Sequence, residues 1–364
     1  MKINLQDIDQ TQFMVHEHIV NGEVLTLVQP QHIGCNWTKD NTHFRSSLWN
    51  SEGELVSAGF PKFVNWGEKP EVFPLPNSLE GATVVDKLDG SLLIVSKYKG
   101  NYILRTRGTS DASTMENGHE LELFKETVLP KVIAFMPSRD TWETSVLFEW
   151  TSPENKIVIN YGDVPTWSLV GVVSHQSYQL LDQESLDYYA NQFGFTRPAS
   201  YKFSSIENLI EDIAKLTGRE GVCVYSNNDQ MIHKVKSEWY LIRHRMKSEL
   251  NSMEKLMDFW FNNGAPGYAE FQDVIQKFDF EIWDDVRGNA SKIIDGKKEV
   301  DKIVAHMIDF TNALKLSCHT RKEQAGKVIS AYGDTNRAAF LFRLLDGKTL
   351  GNEELKKLMF QVLK

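Results

Sequence analysis

Asp86-Lys87-Leu88-Asp89-Gly90-Ser91 places a lysine, an aspartate and a glycine between two apolar, β-branched runs, Ala82–Asp86 and Leu92–Ser96. Such runs bounded by turn residues read as strand, turn, strand. Lys-x-Asp-Gly taken singly is a weak signal. At ordinary residue usage it arises by chance in about one chain in ten of this length. Its weight comes from four further segments that accompany it in order.

Each of these supplies a group that nucleotidyl transfer through a lysine needs. The amine has to attack an α-phosphorus, so it has to lose its proton near neutral pH. Neighbouring positive charge lowers a lysine pKa. Lys234-Val235-Lys236 brings two lysines to one face of a strand. There they are expected both to depress the pKa of Lys87 and to hold the α-phosphate. Glu149, in Phe148-Glu149-Trp150, ends a strand-like run and is placed to orient the amine or a metal-bound water. Glu220, in Arg219-Glu220-Gly221-Val222, enters another strand and suits a divalent ion, which is held by one or two carboxylates with phosphates and waters. Arg105-Thr106-Arg107-Gly108, Arg45 and Lys62-Phe63 add cations suited to a leaving pyrophosphate.

Around this centre lies a chain of 364 residues with 40 Lys+Arg and 49 Asp+Glu, net charge −9. Two domains is the natural reading of the length. With 41% hydrophobic and 24% charged residues a core is available, and global disorder is excluded. No apolar run approaches the ~18 residues of a membrane span. The N-terminus has no basic-then-apolar leader pattern. Three scattered cysteines, Cys35, Cys223 and Cys318, argue for a reducing, cytoplasmic setting and against a disulfide framework or cysteine zinc site. The acidic total argues against a non-specific nucleic-acid coat. Yet Met231–Leu250 carries five cations against two carboxylates, a local excess suited to a polyanion.

Strand-like runs recur up to about residue 236: Val24–Val28, Ala82–Asp86, Leu92–Ser96, Tyr102–Arg107, Ser145–Trp150, Lys156–Asn160, Ser168–Val173, Val222–Tyr225 and Met231–Lys236. Helices are predicted over about His119–Phe135 and from the capping box Ser204-Ser205-Ile206-Glu207. Beyond Trp239 the apolar residues follow helical spacing, as in Val300, Ile303, Val304, Met307, Phe310 and Leu314. The expected architecture is an α+β domain over residues 1–245 and an all-α domain over 246–364.

In their order, these segments resemble the covalent nucleotidyltransferases, and within them the phage-type RNA ligase 1 family that repairs broken tRNA. Lys87-Leu88-Asp89-Gly90 is similar to the signature motif whose lysine becomes adenylylated. Phe148-Glu149-Trp150, Glu220-Gly221-Val222 and Lys234-Val235-Lys236-Ser237-Glu238-Trp239-Tyr240 are similar to its third, fourth and fifth motifs. Asn155–Tyr161 resembles this family in particular. The likeness covers roughly residues 40–240 and implies an antiparallel-sheet nucleotidyltransferase fold, of ATP-grasp-like ligase type. It implies an ATP-dependent RNA ligase using Mg2+ or Mn2+. Lys87 would be the nucleophile, and Arg45, Lys62, Glu149, Lys234 and Lys236 would contact ATP. Glu220 would bind metal, and Asp258 is the nearest match to a metal-linked aspartate early in the helical domain. The family's upstream nucleotide-contacting tyrosine has no counterpart in Val28–Ile33, and no residue is assigned there. The implied partner is RNA, as single-stranded ends or a broken tRNA anticodon loop, bound by a monomer in the cytoplasm, the host's if phage-encoded. The helical domain would choose the RNA. A DNA ligase or capping guanylyltransferase is the alternative within the superfamily; both usually carry a β-barrel after the fifth motif, where this tail reads helical. A non-catalytic RNA-binding protein on the same scaffold is the alternative outside catalysis.

Overall fold

The computed structural model describes residues 1–31, 35–136, 143–250, 252–276, 280–333 and 336–363. The chain divides into two compact units, Met1–Ile242 and Arg243–Lys364.

Among the described residues the first unit has thirteen strands: β1 (Phe13–Val20), β2 (Glu23–Pro30), β3 (Ser47–Asn50), β4 (Leu55–Ala58), β5 (Val64–Asn65), β6 (Thr83–Asp86), β7 (Ser91–Tyr98), β8 (Asn101–Arg105), β9 (Thr144–Thr151), β10 (Thr166–Ser174), β11 (Ser200–Tyr201), β12 (Gly221–Ser226) and β13 (Met231–Lys236). They form three sheets in the orders β1-β2-β3-β4, β10-β9-β7-β8 and β11-β6-β12-β13-β5. All pairings are antiparallel except that of β13 with β5.

Period-2 alternation gives each strand two faces, and in the central strands both are buried. Ile94 of β7, Leu147 of β9, Val85 of β6, and Cys223 and Tyr225 of β12 join Trp49 and Ala58 in a central core shared by the three sheets. The opposite faces meet helices. Leu93, Val95, Val146, Phe148 and Trp150 pack with α1 (Leu121–Thr127), α2 (Leu129–Phe135) and α3 (Gln183–Phe193). Val84, Val222, Val224 and Val235 pack on Leu209 and Ile213 of α4 (Ile206–Ala214). The expected helix over 119–135 is two helices, because Pro130 at the start of α2 cannot donate to the preceding turn. The N-cap of α4 is Ser205, whose side chain accepts from Asn208 N, and not Ser204, so the expected capping box does not form.

Helix α5 (Glu238–Leu250) follows β13. The second unit contains α6 (Met253–Asn262), α7 (Tyr268–Gln276), α8 (Phe280–Ser317), α9 (Arg321–Tyr332), α10 (Asn336–Leu345) and α11 (Asn352–Val362). Its described residues form no strand. Trp260, Phe271, Trp283, Val300, Met307 and Leu358 share its core.

Candidate active site

The alternation that buries Val85 and Leu147 in the central core also aims the residues two positions on, Lys87 and Glu149, toward the same interior. On β13, Val235 packs against α4, so Lys234 and Lys236 lie on the inner face. A cavity of about 380 Å³ opens where the apolar core ends. Arg45, Lys87, Glu149, Arg107, Cys223 and Val170 are among its lining residues. This is within the size range of small-molecule sites. A neighbouring pocket of about 360 Å³ holds Lys62 and shares Arg107.

Two glycines permit this geometry. A Cβ on Gly90 would stand 2.5 Å from Trp150 O, where the Gly90 N–H donates to Glu149 Oε1 at 3.0 Å. Gly221 has φ +142°, and a Cβ there would collide with Val235 O. Its own carbonyl accepts from Lys87 N at 2.8 Å. The glycines therefore bring Lys87, Glu149 and Glu220 within reach of one another.

The charges are ordered by one buried carboxylate. Glu220 is 2% exposed, and its Oε2 accepts from Lys87 Nζ at 2.8 Å while its Oε1 faces Lys236 Nζ at 2.8 Å. Burial alone would disfavour the charge on Lys87, but the attraction of Glu220, then of Cys223 and Glu149, outweighs it and raises its pKa. This corrects the expectation that adjacent lysines would depress that pKa. The carboxylate lies nearer to the amine than the cations do. Lys234 is depressed instead, lowered to about 8 by burial and by Arg45, Lys236 and Lys87, and burial lowers Lys62 as well. Glu149 is pushed up to about 7 by burial, and Glu220 adds to the effect.

The phosphate-type cations stand against aromatic rings in place of carboxylates. Arg45 lies 4.4 Å and Lys234 5.3 Å from the Phe63 ring centroid, and Lys62 lies 5.3 Å from that of Trp37. Cation–π contact stabilises a cation without neutralising it. Nη1 of Arg45 is buried with no hydrogen-bond partner, and burial and Arg107 lower the Arg45 pKa to about 10. The arrangement is a ready receptor for a polyanion.

Sequence reasoning missed the hub formed by Asp89, which is 4% exposed. Its Oδ2 accepts from the Val158 and Ile159 amides at 2.8 and 3.2 Å, and its Oδ1 from Tyr240 Oη at 2.7 Å. Its own N–H donates to Tyr161 Oη at 2.8 Å. Lys156–Asn160 is consequently not the expected strand. The Val158 and Ile159 amides bond a side chain and not a neighbouring strand. The nearness of Asp89 to Lys87 and the apolar character of 157–159 were the available signals. Asp258 lies in α6 of the second unit, with its Oδ1 2.5 Å from Lys356 Nζ. Of Val28–Ile33, positions 32 and 33 lie outside the described residues.

Fold and site together define a domain that presents a buried lysine–carboxylate pair to an anion-receptive cavity. The model of a family described as RNA ligase matches residues 39–279, and the chain belongs to that family. It is 28% identical over 229 residues to a protein of Autographa californica nuclear polyhedrosis virus named as a bifunctional polynucleotide kinase/RNA ligase, covering 57% of this chain and 31% of that protein. It is 27% identical over 223 residues to a protein of Thermovibrio ammonificans named as an RNA ligase, covering 58% of this chain and 56% of that one. The match thus spans about a third to about half of these curated relatives. An archaeal ATP-dependent RNA ligase aligns with 13% identity and TM-score 0.44 over 92% of this chain and 93% of its own. A mutant of the Naegleria gruberi RNA ligase with ATP and Mn aligns with 14% identity and TM-score 0.38 over 45% and 51%.

Proposed function

We propose that this chain is an ATP-dependent RNA ligase. The observation that carries the proposal is Lys87, bonded to Glu220 at the wall of a cavity ringed by Arg45, Arg107 and Glu149. In the first step the lone pair of Lys87 Nζ attacks the ATP α-phosphorus. The bond from that phosphorus to the bridging oxygen breaks and pyrophosphate leaves; the nitrogen, which gave its ammonium proton to solvent to free the lone pair, loses a second proton to solvent, giving lysyl-AMP. In the second, AMP passes to an RNA 5′-phosphate and the lysine is restored. In the third, an RNA 3′-hydroxyl attacks that activated phosphate, AMP departs, and a phosphodiester forms. Such steps are governed by positioning and charge stabilisation.

The residues divide the work by their charge and place. Arg45 and Lys62, with Arg107, grip the leaving phosphates, and Lys234 and Lys236 hold the α-phosphate. Glu149 orients the amine and Glu220 holds its proton until the nucleotide is bound. The donor set fits a divalent ion: Glu149 is a half-buried carboxylate at the cavity wall with a raised pKa, the state a cation relieves, and Glu220 stands beside it. Mg2+ or Mn2+ held there would neutralise phosphate charge. Asp258, in the second unit, is proposed as a metal ligand in its own right, for which its carboxylate has to release Lys356.

The finer reading is RNA repair, with single-stranded ends or a broken tRNA anticodon loop as substrate and the helical unit choosing the RNA. It includes a phage origin, a monomer and a cytoplasmic site of action. No described helix is long and apolar enough to cross a membrane. The test is intact mass after incubation with ATP and Mg2+. One AMP is gained by the wild type and none by Lys87→Ala; a folded wild type with no adduct rejects the proposal. Circularisation of a 5′-phosphorylated single-stranded RNA, beside a nicked DNA duplex, then separates RNA from DNA joining, and GTP in place of ATP separates capping.

A further inference from the structure

Arg105, the last residue of β8, is fully buried, and no carboxylate acts on it among the described residues. All five of its guanidinium hydrogens have acceptors. Nε donates to Ser57 Oγ at 2.8 Å. Nη1 donates to Ser46 Oγ at 2.8 Å and Thr106 O at 3.1 Å, and Nη2 to Ser46 O at 3.2 Å and Ser57 O at 3.0 Å. A buried cation without a counter-ion is costly, and apolar side chains of similar volume often serve a fold equally well. Its place in the fold suggests a different use.

Ser46 follows Arg45, and Thr106 precedes Arg107, so the guanidinium grips the peptide next to each of two cavity arginines. Ser46 Oγ, which accepts from Arg105, also donates to Arg107 O at 2.9 Å and closes the link. Thr106 N and Oγ1 are tied to Thr109 Oγ1, which fixes the turn carrying Arg107. Arg45 and Arg107 repel each other closely enough to depress the Arg45 pKa. Two like charges facing one cavity need a rigid backing to stay at a set separation.

We propose that Arg105 is a positioning residue that acts through Ser46 and Thr106 to hold Arg45 and Arg107 at the spacing that grips the leaving phosphates of the nucleotide. This rests on the ligase reading above. It predicts a split between steps, since pyrophosphate takes part only in the first. Lysine at 105 has three donors and no fork, so it cannot replace the arginine.

The experiment measures single-turnover lysyl-AMP formation against ATP concentration, and sealing of pre-adenylylated RNA, which bypasses the triphosphate. In Arg105→Met and Arg105→Lys the half-saturating ATP rises at least about 10-fold while pre-adenylylated sealing stays within about 3-fold of wild type. Ser46→Ala, which keeps the guanidinium but cuts its link to Arg107, shifts ATP in the same direction by a smaller factor. Should the Arg105 variants fail to fold, Ser46→Ala decides alone. Parallel losses in both assays, or unchanged ATP dependence, overturn the proposal. A wild type that forms no lysyl-AMP overturns instead the ligase reading on which it rests.

Discussion

Lys87 Nζ and Lys236 Nζ each lie 2.8 Å from a different oxygen of the Glu220 carboxylate. One buried anion therefore sets the protonation of the proposed nucleophile. Lys87 holds its proton more firmly than a free lysine does, and Lys234 less firmly, near a pKa of about 8. Competitive acylation of the ligand-free protein at pH 8, read by peptide mass, will modify Lys234 at least about 100-fold faster than Lys87, because each pKa unit is tenfold in free amine. Glu220→Gln will narrow or reverse that order.

The same pair supports the fold. Removing one member of a buried ion pair leaves an uncompensated charge. In Glu220→Gln two ammonium groups, 19% and 23% exposed in the native protein, lose the carboxylate between them, and Glu149 offsets only Lys87 in part. The expected loss in denaturant unfolding is about 3 kcal/mol, at the low end of the buried-pair range because both lysines retain some water. Lys87→Met will cost less, since Lys236 still neutralises Glu220.

Lys87 and the residues around it were legible because each stands in a short ordered word, and because period-2 strands converge on one interior. Lys234 and Lys236 face inward for the reason read from their spacing. What spacing could not reveal was distance across the fold. The contact between Lys87 and Glu220 joins residues 133 apart in the chain, and it reverses the inferred pKa direction. Lys156–Asn160 misled for a related reason. Its apolar residues are buried as a strand's would be, but their amides serve Asp89, and pattern reports burial without naming the hydrogen-bond partner. Strands β1, β3 and β4 went unread because His16, His18, Ser47 and Ser57 break up their apolar runs.

Glu149 is expected to trade stability for function. Its carboxyl, raised to about 7, holds a proton more tightly in the folded state than in the unfolded chain. Its favourable contribution is present below the ordinary value of 4.5 and is lost as pH rises from there to about 7. Glu149→Gln will therefore be more stable than the wild type at pH 8 by about 1–2 kcal/mol, discounted because the side chain reaches the open cavity, and equal to it at pH 4. It will also form little or no lysyl-AMP. Thermal melts at the two pH values check the first part and the adduct assay the second.

Lys234 predicts proton uptake on nucleotide binding. Burial and neighbouring cations depress it to about 8, and a bound phosphate would restore its charge. ATP affinity is then expected to fall as pH rises through about 8. Calorimetry at pH 8 in buffers of different ionisation enthalpy will register about half a proton taken up by this lysine. Lys234→Met will abolish most of that uptake.

The Asp89 hub fixes the segment around Val158 and Ile159 to Tyr240, and it predicts a graded response. Tyr240→Phe removes one hydrogen bond to a buried carboxylate, 2.7 Å long, for an expected loss of about 1.5–3 kcal/mol. Asp89→Ala removes the common acceptor of the Val158 and Ile159 amides and the Tyr240 hydroxyl at once, for a larger loss. Asp89→Asn keeps one oxygen for the two amides while its nitrogen can donate to Tyr240, so it will be the mildest. Since these bonds replace sheet pairing over residues 156–161, their loss will expose that segment to limited proteolysis before the strands on either side unfold. Cleavage there should increase from Asp89→Asn through Tyr240→Phe to Asp89→Ala. Equal resistance in all three would mean that the segment is held by the burial of Val158 and Ile159 alone.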